Sequence, residues 1–277
     1  MQLLFAIAIL SLIAIRPLFA GPTLTADTGQ NGSGTCTGTA PATSTGAGVG
    51  STLVCLDIRS AGQADASAGI GSLHAKAQAQ EFGASNFGTG AQASYSDTVV
   101  FTGPGTDPIP VSLNLHFSGT VNSTNEASAV VRADATIYDQ FVGRLIASVH
   151  DGVNSCVLNT FVGLDCSISY NKNRATTVVL VPLNFPVRIF LALEAGAGAN
   201  GFGTSGTSDF SKTFGFVTGS PLFDLPAGFT VNSPTSFIVD NRFSTDVLSV
   251  SEPNTYALVL SGLGLLGLAG RRWRDSR

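Results

Sequence analysis

The feature that most limits what this chain can become is a period-two alternation of apolar and polar side chains through its middle. Leu73, Ala75, Ala77 and Ala79 alternate with His74, Lys76, Gln78 and Gln80. Val111, Leu113, Leu115 and Phe117 alternate with Ser112, Asn114, His116 and Ser118. Ala127, Ala129, Val131, Ala133, Ala135 and Ile137 alternate with Ser128, Arg132, Asp134 and Thr136. Side chains of a strand point to opposite faces in turn, so each stretch predicts a strand with one face buried and one wet. Turn signals separate them at Gly103-Pro104-Gly105, Asp107-Pro108, Asp151-Gly152 and Pro226-Ala227-Gly228. Further strands are predicted over residues 53–58, 99–102, 141–149, 177–183, 187–194, 213–217 and 229–231.

Composition fits. Charged residues make up only 12% of the chain and glycine 32 of its 277 residues, too few helix formers for long helices. The expectation is an all-β body over residues 51–250: ten or so short strands forming a jelly-roll-like β-sandwich. Roughly 200 residues can bury one sizeable core, and eighteen phenylalanines give it volume. Alanine-faced strands imply either that the sheets approach closely or that neighbours such as Phe101, Phe117 and Phe141 fill the gap. Residues 21–50, rich in Gly, Thr and Ser, read as a loose arm.

Both ends carry apolar runs. Residues 1–20 read as a secretory signal helix, apolar over residues 3–15, broken at Arg16-Pro17 and ending on Ala20. No basic residue precedes the run, so an uncleaved N-terminal anchor stays open as the alternative. Residues 256–270 are free of charge and include Tyr256, Leu260, Leu263, Leu266 and Leu268. As a helix they span roughly 22 Å, short of the ~30 Å hydrocarbon core. Arg271, Arg272 and Arg274, placed to stop transfer, can snorkel to the headgroups, and Trp273 suits the interface. A single transmembrane helix is expected, with the arginines in the cytoplasm and the body outside. Between residues 21 and 270 there are nine basic residues against seventeen acidic ones, a net of −8. Such a body offers no basic patch, so no nucleic-acid partner is expected.

The order of the last stretch, residues 251–277, is a polar, proline-containing motif, then an apolar run, then arginines. It resembles the PEP-CTERM sorting signal of Gram-negative bacteria. Val250, Glu252 and Pro253 match its Val-Pro-Glu-Pro motif, with Ser251 in place of the first proline. The resemblance implies an exosortase-like processing enzyme and the inner membrane as partners. It further implies release to the cell surface or the extracellular matrix, with exopolysaccharide as a companion. Two more runs, Asp209-Phe210-Ser211-Lys212-Thr213 and Leu225-Pro226-Ala227-Gly228-Phe229-Thr230-Val231, resemble segments of ectodomains that commonly precede this signal.

Candidate chemistry in the body is sparse. Four cysteines, spaced as Cys36/Cys55 and Cys156/Cys166, suit local disulfides in an oxidising compartment; no C-x-x-C spacing exists, and no metal site is expected. Gly262, Gly264 and Gly267 fit G-x-G-x-x-G in an apolar segment without a preceding strand, and Gly196, Gly198 and Gly201 fit it before no helix, so that second segment reads as a flexible loop. No cofactor is expected. His74, His116 and His150 occupy polar strand positions without an assignable nucleophile. Asp240-Asn241 with Asp246, or Asp134 with Asp139, are the candidate calcium ligands, though neither matches a calcium loop. Three functional classes stay open. The first is an exported, non-enzymatic surface or matrix protein. The second is a carbohydrate-binding module, for which Tyr95, Tyr138 and Tyr170 are the candidate platform. The third is a hydrolase, which needs paired carboxylates in a cleft.

Overall fold

The computed structural model describes residues 22–244 except 33–34, 40, 46–47, 84–85, 125–126, 140–144, 153–155, 158–165 and 218. The expected signal helix, transmembrane helix and sorting motif lie outside the described residues. The chain divides into two units, residues 1–243 and 244–277, and the fold concerns the first.

The first unit is built from strands, all paired antiparallel. In chain order they are β1 (Thr23–Asn31), β2 (Thr35–Gly38), β3 (Ala42–Thr45), β4 (Val49–Leu56), β5 (Ser60–Gly69), β6 (Ser72–Glu81), β7 (Asn86–Thr102), β8 (Ile109–Thr124), β9 (Ser128–Asp139) and β10 (Leu145–Gly152). There follow β11 (Cys156–Val157), β12 (Cys166–Ala175), β13 (Val179–Val181), β14 (Pro186–Asn200), β15 (Thr204–Phe216), β16 (Phe223–Asp224), β17 (Thr230–Asn232), β18 (Ile238–Val239) and β19 (Arg242–Phe243). One sheet runs β10-β9-β14-β7-β1-β3, with β11 and β17 attached; the other runs β12-β8-β15-β6-β5-β4-β2, with β13 and β16 attached. β14 lies over β6 and β15, and β7 over β5 and β6, with the core between the sheets. From β6 onward the chain passes repeatedly from one sheet to the other.

Three expectations are corrected. The strands are not all short: β7 has 17 residues and β14 has 15. The arm is not loose, because β1 pairs along its length with β7 and also with β3, burying Leu24 and Ala26. Its threonines favour extended backbone and its two inward side chains suffice, since the ladder bonds come from the main chain. Gly196 and Gly198 do not form a flexible loop. They sit in β14, held from both sides by β7 and β9, while Ala195, Ala197 and Ala199 point inward.

The core is graded along the strands. Toward one end the inward positions are small: Ala64 on β5, Ala77 and Ala79 on β6, Ala195 and Ala197 on β14, Gly206 and Ser208 on β15. There the sheets touch at main-chain level. Ser208 Oγ lies 2.8 Å from both the Val130 and Gly196 carbonyl oxygens of the opposite sheet. Thr89 Oγ1 reaches the other way, donating at 2.8 Å to the Gln78 carbonyl. A Cβ on Gly206 would overlap the Ser128 carbonyl oxygen. Toward the other end the sheets are held apart by rings. Between the sheets Phe101 meets Phe223 edge-on at 5.1 Å and Tyr95 meets Phe216 at 5.9 Å, and within the second sheet Phe117 stacks on Phe210 at 4.7 Å. Close approach and aromatic filling thus both occur, in different halves of one wedge.

The thick end is closed by the last described stretch. β16 pairs with β8 in one sheet and β17 with β7 in the other, so residues 223–232 cross between the sheets. The hairpin β18–β19 follows, turning on Asp240 and Asn241 at φ 49° and 62°, as a two-residue type I′ turn requires. Asn241 locks the crossing: its side-chain oxygen accepts from the Phe223 N–H at 2.9 Å and its amide donates to the Phe223 carbonyl at 2.7 Å.

Two glycine substitutions should move stability in opposite directions. Gly206→Ala forces the sheets apart and is expected to lower unfolding free energy by about 1–3 kcal/mol. Gly29→Ala, where an added Cβ meets nothing within 4 Å, should raise it by about 0.5–1 kcal/mol through reduced chain entropy in a strand. Urea midpoints of the two variants against the parent protein check both signs.

Candidate functional site

Four neighbouring strands of the first sheet, β9-β14-β7-β1, turn small residues outward in register. One cross-sheet row reads Val130, Gly196, Gly90, Gly29, and the next reads Ser128, Gly198, Gly88, Asn31. A third row, Arg132, Glu194, Gln92, Asp27, stands beside them as a polar wall. Missing side chains between standing ones leave an open groove of about 650 Å³ on the outer face. Gln92 Nε2 donates to Glu194 Oε1 at 3.1 Å, and Arg132 Nε pairs with Asp134 Oδ2 at 2.8 Å. Among the described residues the lining holds carboxylates, amides and one guanidinium. Asp27 and Glu194 stand roughly 10 Å apart at the backbone, two strand spacings. They lie side by side along one wall of the groove rather than opposed across it.

A second polar cluster is buried at the thick end. Asp97 on β7 points into the sandwich and is only 3% exposed. Its Oδ1 accepts from the Thr98 N–H at 2.8 Å; its Oδ2 accepts from the Tyr95 hydroxyl at 3.2 Å and the Thr235 hydroxyl at 3.3 Å. Ser233 adds a further hydroxyl, which also hydrogen-bonds Thr235. Burial pushes the Asp97 carboxyl above its ordinary value, against the opposing pull of the hydrogen bonds from Thr98, Ser233, Tyr95 and Thr235. Burial, then the neighbouring Asp97 charge, holds the Tyr95 phenol well above its own.

The residues singled out in the sequence fall as follows. Cys36 and Cys55 are directly paired across β2 and β4, with Sγ atoms 1.98 Å apart. Cys166 is disulfide-bonded, while the side chain of Cys156 lies outside the described residues, as do those of His150 and Asp139. The tyrosine platform is corrected: Tyr95 and Tyr170 are core residues, 0% and 3% exposed, and only Tyr138 reaches an outer face. Their neighbours in sequence are polar, but alternation places both rings inward. His74 and His116 do face outward, where His74 Nδ1 meets the Ser211 carbonyl at 2.7 Å and His116 Nδ1 meets Asn173 Oδ1 at 2.8 Å. Asp134 is engaged by Arg132, and Asp240 and Asn241 are turn residues; among the described residues no group of three potential ligands gathers. Asp246 lies outside the described residues.

Both ectodomain-like runs are structural joints. In β15 the register against β6 shifts between Phe210 and Phe214, and Asp209 Oδ1 caps this bulge by accepting from the Ser211 N–H at 3.1 Å and its hydroxyl. Phe210 between them is fully buried. In the second run Phe229 lies over Gly103, where a Cβ would overlap its ring, and Val231 pairs with Phe101. Asp97 itself was missed: nothing in the alternation distinguishes a buried carboxylate from a turn-proximal one. The inward phase of Tyr95, Asp97, Val99 and Phe101 was the available signal.

Taken together, this is a strand-built body carried ahead of a C-terminal sorting signal. Residues 249–274 match the model of the PEP-CTERM protein-sorting motif. That signal marks an exported protein that an exosortase handles at the membrane. No curated protein and no solved structure was found to match the chain.

Replacing Cys36 and Cys55 together by serine should lower stability by about 3 kcal/mol, the value for closing a loop of this size. Denaturant unfolding with and without reductant checks it: the parent should lose stability on reduction.

Proposed function

We propose that the chain is an exported, non-enzymatic surface or matrix protein, held in the inner membrane by residues 256–270 until an exosortase-like enzyme acts at Val250-Ser251-Glu252-Pro253. The observation that carries this reading is the sorting-motif match at residues 249–274, directly behind a body whose last described strand ends at Phe243. The N-terminal run supplies export, and Arg271, Arg272 and Arg274 keep the tail's end in the cytoplasm. Released or anchored, the body serves among exopolysaccharide in the envelope or biofilm. The shape of the body supports a role in presentation rather than turnover. On the outer groove Asp27 and Glu194 lie side by side along one wall, and His74 and His116 are engaged with carbonyl and amide groups.

A second reading, a polysaccharide-binding module, draws on the glycine-floored groove, since glycine inside a strand lets another molecule approach the backbone. The buried positions of Tyr95 and Tyr170 weigh against an aromatic platform for it.

Mass analysis of the mature protein from cells with and without the processing enzyme tests the main reading. The expected result is loss of the segment beyond the Ser251-Glu252-Pro253 motif only when the enzyme is present. An intact C-terminus in both strains would refute it.

A further inference from the structure

We propose that residues 229–243, which close the thick end of the sandwich, are held against β7 by a proton-dependent clasp centred on Asp97.

The segment is tied to the rest of the body by the β17–β7 ladder over Thr230–Asn232, by the Asn241 side chain on Phe223, and by the Leu222 N–H donating to the Asn241 carbonyl at 3.0 Å. Within it, the Asn241 N–H donates to the Val231 carbonyl at 2.9 Å. The turn over residues 233–236 is internally bonded, with the Ser236 N–H on the Ser233 carbonyl at 2.9 Å and the Ser233 N–H on the Ile238 carbonyl at 2.8 Å. What joins this turn to β7 through side chains is Asp97, which accepts from the hydroxyls of Ser233 and Thr235. A carboxylate is thus enclosed between a sheet and the last turn of the body.

The groups facing it are all neutral donors. Tyr95 is the titratable neighbour, on its own strand; Ser233 and Thr235 come from the turn; Ile189 is its pair partner on β14. Among the described residues, burial and the hydrogen bonds from Thr98, Ser233, Tyr95 and Thr235 set its ionisation, and no cation joins them. Hydroxyls can rotate to serve a charged or a neutral carboxyl, but they do not replace the water lost on closure. Closing the segment therefore favours the protonated form, and opening it returns the group to water. Burial accordingly raises the carboxyl in the closed state. The sign follows: a group raised in the closed state holds its proton more tightly there. The added hold is fully present below the ordinary carboxyl value of 3.8 and is lost as pH rises through the raised value. Above that window closure rests on the β17–β7 ladder, the Asn241 bonds to Phe223 and the packing of Val231, Phe237, Ile238 and Phe243.

Such a clasp requires a local opening of the segment separate from that of the whole sandwich, and amide hydrogen exchange reads that opening directly. Exchange of residues 232–243 in the full-length protein, corrected for intrinsic rates, is followed from about pH 4 to about pH 8. The opening constant is expected to rise with pH and then level off. In D97N, which keeps shape and hydrogen-bonding capacity, the profile should be flat. T235V removes one donor to the charged form, so its rise should be larger than in the parent. D224N, a carboxyl on β16 bonded instead to Ser112 and Asn114, should keep the parental slope. A flat parental profile, or a slope that survives in D97N or vanishes in D224N, overturns the proposal.

Discussion

The close approach of the two sheets in the small-residue half is the constraint on which the rest depends. Typical sheets pack about 10 Å apart with interleaved side chains. Here Ser208 and Thr89 span the interface to main-chain carbonyls of the opposite sheet, and Gly206 leaves room for nothing but backbone. An interface of this kind has little freedom to repack, because main chain cannot change rotamer. It fixes the two sheets at one end. The aromatic half must then diverge from that line of contact, and the stacked and edge-on rings around Phe117 and Phe101 fill the widening gap. Both fillings are accommodated by a gap that widens from the small-residue half toward the aromatic half.

A wedge leaves its broad end open, and the C-terminal segment answers that need. Phe223 from one sheet and Val231 from the other are fully buried at this end, and the β18–β19 hairpin adds Ile238. Two runs singled out in the sequence serve this region. Asp209-Phe210-Ser211-Lys212-Thr213 holds the bulge that follows the inward Phe210, and Leu225-Pro226-Ala227-Gly228-Phe229-Thr230-Val231 carries the chain across from β16 to β17.

Much of this was legible in the sequence, and the losses have physical causes. The alternations in β6, β8 and β9 were readable because one face is apolar and the other polar. β5, β7 and β14 were missed or cut short where glycine, alanine and serine occupy both faces, as at Gly88, Gly90, Gly196 and Gly198, since periodicity cannot register a contrast that small. β1 carries only Leu24 and Ala26 inward, so its burial shows only once β7 is beside it. The pairing order was not accessible at all: after β6 the hydrogen-bonded neighbours are seldom consecutive, and β14 joins strands some fifty and a hundred residues upstream only through backbone ladders. The sorting tail was legible for the opposite reason. Its three parts are contiguous, and each depends on composition more than on partners.

The faces and edges of the body bear on how such a protein survives once exported. With charged residues at 12% of the chain, charge repulsion contributes little to keeping copies apart. Protection falls to the sheet edges, where unpaired backbone would otherwise recruit another strand. In the second sheet one edge is β2, only four residues long and tied to β4 by the Cys36–Cys55 bond. The other is β12, ten residues long, which carries Lys172 and Arg174, with the Lys172 ammonium 5.1 Å from the Tyr170 ring. A short tethered edge on one side and a basic one on the other suit a body that must stay folded and singly dispersed beside a membrane while its tail is processed.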